Sequence, residues 1–153
     1  MTELRSRPLF NIRITLHPLQ ELGSTPNGRR RIAPVSGGTF EGERLRGAVL
    51  PHAGGDWVLI RPDDSLALDV RLTLETDDEA LIYMTYRGVR HGPAAVMARL
   101  TRGERVDPGE YYFRTAPMFE TASERYAWMN NIVSVGVGER LPDGVRYEVF
   151  EIL

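Results

Sequence analysis

The sequence contains no cysteine and no lysine. Without cysteine there are no disulfides, no thiolate nucleophiles and no cysteine-held metal or iron–sulfur sites. All 19 basic residues are arginine. That excludes a Schiff-base lysine, and with it pyridoxal phosphate and lysine-aldolase chemistry. A phosphate-loop lysine is excluded as well. A GC-rich coding sequence accounts for the arginine bias, and the exclusions hold whatever its origin. Histidine is scarce: His17, His52 and His91 stand far apart and fit no local metal-binding spacing. No metal and no cofactor is therefore expected. Excess positive charge is also lacking, since the formal net charge is −2, so neither nucleic acid nor a membrane surface is an expected partner. Residues 1–18 hold no long apolar run, so neither a signal peptide nor a membrane anchor is expected, and a cytoplasmic location is the default. Carboxylates, Tyr, Arg, Asn, His and bound water remain for any chemistry.

The 153 residues suffice for one domain with a real core, read here as a single unit over 1–153. Proline and glycine punctuate the chain, and between them apolar residues recur with a period of two. Phe10, Ile12, Ile14 and Leu16 alternate with polar neighbours. Residues 38–50 read as two short strands about Gly42 and Glu43, and Trp57 to Ile60 as another. In 66–76, Leu66, Leu68, Val70, Leu72 and Leu74 share one face, while Asp69, Arg71, Thr73 and Glu75 share the other. Asp77 and Asp78 mark a turn, and Leu81 to Tyr86 read as the partner strand. Residues 132–138 and 145–152 form a second hairpin about Leu141–Gly144. Helix signals are confined to 93–102, opened by Pro93, and to 121–128. The pattern predicts an all-β fold, a single antiparallel β-barrel whose closure removes exposed edges, with one or two short helices.

The segment Tyr111–Asn131 concentrates six aromatic residues together with Arg114, Glu120, Glu124 and Arg125. Rings for contact area beside a few orienting polar groups suit a pocket wall. The other reading is a β-rich segment whose ring tips reach the surface. Tyr112 and Arg114 share a strand face, Glu120 lies beside Phe119, and Tyr126, Trp128 and Asn130 recur at spacing two. Asp56 follows two glycines and precedes Trp57: either a desolvated acid or base, or an Asp closing a turn. Arg71 is solvated if the Leu row of its strand faces the core, and lumenal if the barrel has a polar interior. Tyr86 ends a hairpin strand ahead of His91, a lone loop histidine of a residue type suited to proton transfer but more often inert.

The ordered set GGTFEG (37–42), GGDW (54–57), RLTLETDD (71–78), YRG (86–88), YYFRTAPMFET (111–121) and YAWMNN (126–131) resembles the family called domain of unknown function 3237, or UPF0311 type. The likeness runs from about Leu9 to Leu153. Met129 stands where the family more often has Leu, and Glu79 where Gly is frequent after the paired Asp. The resemblance implies a small β-barrel of lipocalin-like or allene-oxide-cyclase-like type and carries no established activity. It makes Asp56, Trp57, Arg71, Tyr86, Arg114, Phe119, Glu120, Tyr126, Trp128 and Asn130 candidates without assigning roles.

Three functions fit. The first is a cofactor-independent isomerase, cyclase or lyase acting on a small, partly aromatic molecule. Its catalytic groups are Asp56, Arg71 and Glu120, and Trp57, Tyr86, Tyr112, Arg114, Tyr126, Trp128 and Asn130 bind the ligand. The second is a carrier barrel that binds a small molecule without chemistry. The third is an assembly protein that uses 111–131 as a subunit interface. If the polar rows line the lumen, the Leu and Val rows lie outside and need cover, which predicts a homodimer or higher homo-oligomer.

Overall fold

A computed structural model describes residues 2–153. The strands are β1 (Ser6–Leu16), β2 (Gln20–Thr25), β3 (Gly28–Glu41), β4 (Arg46–Val49), β5 (Gly55–Ile60), β6 (Leu66–Thr76), β7 (Leu81–His91), β8 (Tyr112–Glu120), β9 (Ser134–Leu141) and β10 (Gly144–Ile152). All belong to one antiparallel sheet, and β1 closes it by pairing with both β10 and β3. Eight positions around the barrel accommodate the ten strands because two positions are each filled by two strands in succession. β3 pairs with β1 and β4 along its C-terminal half, and with β2 and β5 along its N-terminal half. Pro18, which has no N–H to donate, stands in the break between β1 and β2.

The bend that turns β3 from one half to the other lies at Gly37 and Gly38, with φ of +149° and +146°. A side chain at Gly38 would place its Cβ 2.0 Å from the Arg13 carbonyl oxygen. Bare backbone at this corner lets β1 and β3 approach while the register shifts between Thr15 and Leu16.

The period-two rows of the sequence become the two faces of the wall. Leu66, Leu68, Val70, Leu72 and Leu74 are buried, while Arg71 is exposed. The apolar rows therefore face inward, because together they remove far more apolar surface from water than the alternating polar rows would. Of the two placements the sequence left open for the Leu row, the one found is inside the barrel, where the row needs no further cover. That placement withdraws the ground on which a homo-oligomer was expected.

The helix at 93–102 is α1, Ala94–Thr101, whose buried Leu100 drops onto one end of the barrel. Near 121–128 the structure has no α-helix. A 3₁₀ turn, Ala127–Asn131, follows instead. Asn130 clamps the loop leading to it, accepting from the Thr121 N–H at 2.8 Å and donating to the Thr121 carbonyl at 3.0 Å. Phe119, Tyr126 and Met129 are buried there and close the barrel end opposite α1. Among the described residues no helix is long and apolar enough to cross a membrane.

Candidate functional site

Between the packed end and α1 the interior opens into a cavity of about 210 Å³. Its aliphatic wall comes from Ile14, Val35, Val58, Leu68 and Val70 among others, with Leu100 and Thr101 of α1 at one side. Polar groups make up close to half of the exposed lining: Asp56, Tyr86, Arg90 and Tyr147, with Glu21, Arg31, Thr101 and Arg140. Apolar walls with convergent polar groups are the usual form of a small-molecule site.

The strand register puts the acid where it is. Asp56 pairs with Val70, and Val70 with Tyr86, so the three lie in one row across β5, β6 and β7. Alternation along β5 turns Asp56 and Val58 inward and Trp57 outward. The Asp56 side chain retains some exposure because it fronts a cavity that admits water, yet protein encloses it on nearly every other side. That enclosure pushes its carboxyl up to about 7, against the Asp69 N–H that it accepts at 3.1 Å and against the charge of Arg90.

Tyr86 and Tyr147 meet edge to face with ring centroids 5.3 Å apart. Burial, above all, raises both phenols, so they stay neutral and remain O–H donors. Phe113 packs against Tyr147 at 5.3 Å and lies over Gly138, where a Cβ would meet its ring at 2.7 Å.

Arg90 is the least satisfied group in the wall. It is buried, and its Nε has no hydrogen-bond partner among the described residues. None of the ion pairs among those residues includes it. Its guanidinium carbon sits 5.7 Å over the Phe113 ring. Burial first, then repulsion from Arg140, draws it down to about 10, which leaves it a cation at neutral pH. Arg140 donates to the carbonyls of Leu141 and Gly144 across the β9–β10 turn, and the Tyr111 hydroxyl accepts from its backbone N–H at 2.8 Å. Arg31 is paired with Glu21 at 2.6 Å.

Only Asp56 and Tyr86 of the residues singled out in the sequence line this cavity. Arg71 does not: it lies outside the wall, 3.8 Å from Asp69 and over the Trp57 ring at 5.5 Å. Glu120 is exposed at the end of β8. The proposed trio Asp56, Arg71 and Glu120 is therefore divided between lumen and surface, because strand parity sends each to the face its neighbours leave. Tyr112 and Arg114 stack on each other on the outer face of β8, at 5.1 Å. Tyr126 donates to Asp78 at 2.7 Å, and Trp128 lies under Arg44 at 4.1 Å. With Asn130 they belong to the segment that closes the far end. So 111–131 supplies the wall strand β8 and then the closure of the far end, and within it only Phe113 lines the cavity.

Sequence reasoning missed Arg90, Tyr147, Arg140 and Arg31. Three of the four were within reach of parity. Tyr86, Gly88 and Arg90 share a face of β7, Gly138 and Arg140 a face of β9, and Tyr147 and Val149 a face of β10. Arg31 sits in the half of β3 that carried no legible alternation.

The chain matches the model of a family described as protein of unknown function, DUF3237, over residues 4–152. It belongs to that family. The UPF0311 protein RPA1785 of Rhodopseudomonas palustris is 38% identical over 150 residues, spanning 98% of this chain and 97% of its own. The crystal structure of that conserved protein of unknown function superposes with a TM-score of 0.94 at 37% identity, covering 100% of this chain and 99% of the other. A β-barrel-like protein from Acinetobacter baumannii gives 0.87 at 41% identity, with 100% and 98% covered. More distantly, a structure described as an enzyme from Penicillium herquei shares the fold, with a TM-score of 0.75 at 21% identity over 100% and 97% of the two chains.

Proposed function

We propose that the barrel interior is the active site of a cofactor-independent enzyme that moves a proton on a small, partly aromatic molecule, with Asp56 as the acid–base group. The observation that carries this reading is the placement of a carboxyl with no close ion-pair partner, its pKa pushed up to about 7, in the cavity beside two neutral phenols, while the other lining carboxyl, Glu21, is paired with Arg31. A general base works best when its pKa lies near the working pH. As a carboxylate, Asp56 takes a proton from carbon next to a ligand carbonyl. The C–H electron pair shifts onto the carbonyl oxygen, where the hydroxyl of Tyr147, itself accepting a hydrogen bond from Tyr86, supplies a hydrogen bond. Protonated Asp56 then returns its proton. Delivered to a different carbon it completes an isomerisation; delivered to a departing oxygen it completes an elimination. Electrons and protons balance without an oxidant. The same fold serves an enzyme in Penicillium herquei, so the scaffold admits catalysis, though fold likeness assigns no reaction.

A test needs no knowledge of the natural substrate. Neutral aryl ketones and cyclic enones are incubated with the protein in D₂O, and deuterium uptake next to the carbonyl is followed by NMR. Exchange is expected with the native protein and should fall by about 10²- to 10⁴-fold in Asp56→Asn. Exchange that survives the substitution removes Asp56 from the role. The aliphatic wall also fits a carrier, and that reading prevails if the ketones bind with equal affinity to both proteins and neither exchanges them.

A further inference from the structure

We infer that the ligand of this cavity is a carboxylate, an aromatic or alicyclic acid of one substituted ring or two fused rings, whose charged end is received by Arg90 with Arg140 beside it. This rests on the barrel interior being the functional site and adds the chemical class of what enters it.

The first argument is charge. Of the cavity's ionisable groups, Arg31 and Glu21 neutralise each other at 2.6 Å. Arg140 satisfies two turn carbonyls with its guanidinium but has no carboxylate partner among the described residues. Arg90 has neither. Two cations that form no close ion pair among the described residues therefore share the cavity with one carboxyl, Asp56. A buried arginine is costly to fold around unless something compensates it. The Phe113 ring face supplies only part of that. An anion arriving in the cavity supplies the rest.

The second argument is shape. A guanidinium presents a planar fork of donors that pairs bidentately with a carboxylate or a phosphate, and of the two the singly charged carboxylate costs less to desolvate in an enclosed cavity. The aliphatic walls then cover a hydrocarbon body. A cavity near 150 Å³ holds benzene, so about 210 Å³ holds a larger ring system. Geometry also excludes the outer-face alternatives. Arg71 and Arg114 already cover Trp57 and Tyr112 in solvent, where ion contacts contribute little.

The experiment compares 1-naphthoate with 1-naphthamide, which share shape and differ in charge, by calorimetric titration of the native protein and of Arg90→Met. The native protein should bind the carboxylate at least tenfold more tightly than the amide. In Arg90→Met that preference should collapse while amide affinity is kept, and the melting temperature should rise because an uncompensated buried charge is gone. Equal affinity of the native protein for the two compounds overturns the proposal. So does a preference for naphthoate that survives in Arg90→Met, or a native protein that binds neither. None of these results bears on the exchange of neutral ketones, and a carrier without chemistry would still prefer the carboxylate, so the two readings fail separately.

Discussion

Asp56 and Tyr86 face the same cavity from strands on either side of β6, joined through Val70, which pairs with both. Three separate stretches of sequence thus set one acid beside one phenol without any loop participating. A site carried on ladder-paired strands is held more rigidly than one on loops. Its chemistry then depends on the solvation of the acid, and that has a thermodynamic signature.

The signature is a stability that falls as pH rises. Asp56 holds its proton up to about 7 in the folded chain, whereas an unfolded aspartate releases it near 3.9. Between those values the folded state keeps a proton that the unfolded state has lost. Stability therefore declines through this window, by on the order of 4 kcal/mol, and levels off above it. Asp56→Asn keeps the acceptor for the Asp69 N–H and should remove the decline. Urea denaturation at pH 5 and pH 8 should show the variant more stable than the native protein at both, with an advantage larger at the higher pH by on the order of 2–3 kcal/mol. Asp78 and Glu151, held below their ordinary values chiefly by hydrogen bonds from Thr76 and Arg7 respectively, act in the opposite sense at acid pH. Only the difference between native and variant isolates Asp56. A difference that does not change with pH would mean the carboxyl is not desolvated.

Outer-face residues should be dispensable for the lumen. Arg71→Ala and Glu120→Gln remove groups that lie in solvent on the far side of the wall. Each is expected to change stability by less than about 0.5 kcal/mol, and to leave naphthoate affinity and ketone exchange unchanged. Loss of either activity in these variants would place the functional surface outside the barrel.

Much of this fold is legible in the sequence, and the reason is physical. The rows Phe10–Leu16 and Leu66–Leu74 alternate cleanly because one face of each strand meets a packed interior and the other meets water. β2 and the first half of β3 escaped because they line the open end. There Leu19, Glu21 and Arg31 face the cavity, so hydrophobicity no longer marks the inner face. The site was harder still. Aromatic density pointed to 111–131, but rings also close a barrel end, as Phe119 and Tyr126 do. Asp56 was visible through its neighbours Gly55 and Trp57. Arg90 was within reach only through its parity with Tyr86, and went unread because an arginine on a strand ordinarily means solvent.

Gly138 should tolerate no side chain. An added Cβ would meet the Phe113 ring at 2.7 to 2.9 Å. Phe113 is fully buried and cannot swing into solvent, so it would be driven toward the cavity it lines. Gly138→Ala is expected to cost about 1–3 kcal/mol in chemical denaturation, and to weaken naphthoate binding through a smaller cavity. Binding that persists at native strength beside the lost stability would show that Phe113 moves away from the ligand.

The β6–β7 turn offers a stabilising change. Thr76 donates to Asp78 at 2.6 Å and accepts from the Ala80 N–H at 2.9 Å, and Asp78 in turn receives Tyr126 at 2.7 Å. These bonds hold the turn in a shape that puts Glu79 at φ +68°. A side chain in that left-handed region crowds the following carbonyl, at a cost of roughly 1–2 kcal/mol, and glycine avoids it. Glycine also loses more backbone entropy on folding, which offsets part of the gain. Glu79 is exposed and makes no ion pair among the described residues that would be forfeited. Glu79→Gly should therefore raise stability by about 0.5–1 kcal/mol in urea denaturation, with the denaturant slope unchanged. Its placement at the closed end, away from Asp56 and Arg90, should leave ligand affinity as it was. A loss of stability would mean that the strain is already relieved by the turn's hydrogen bonds, and that entropy decides.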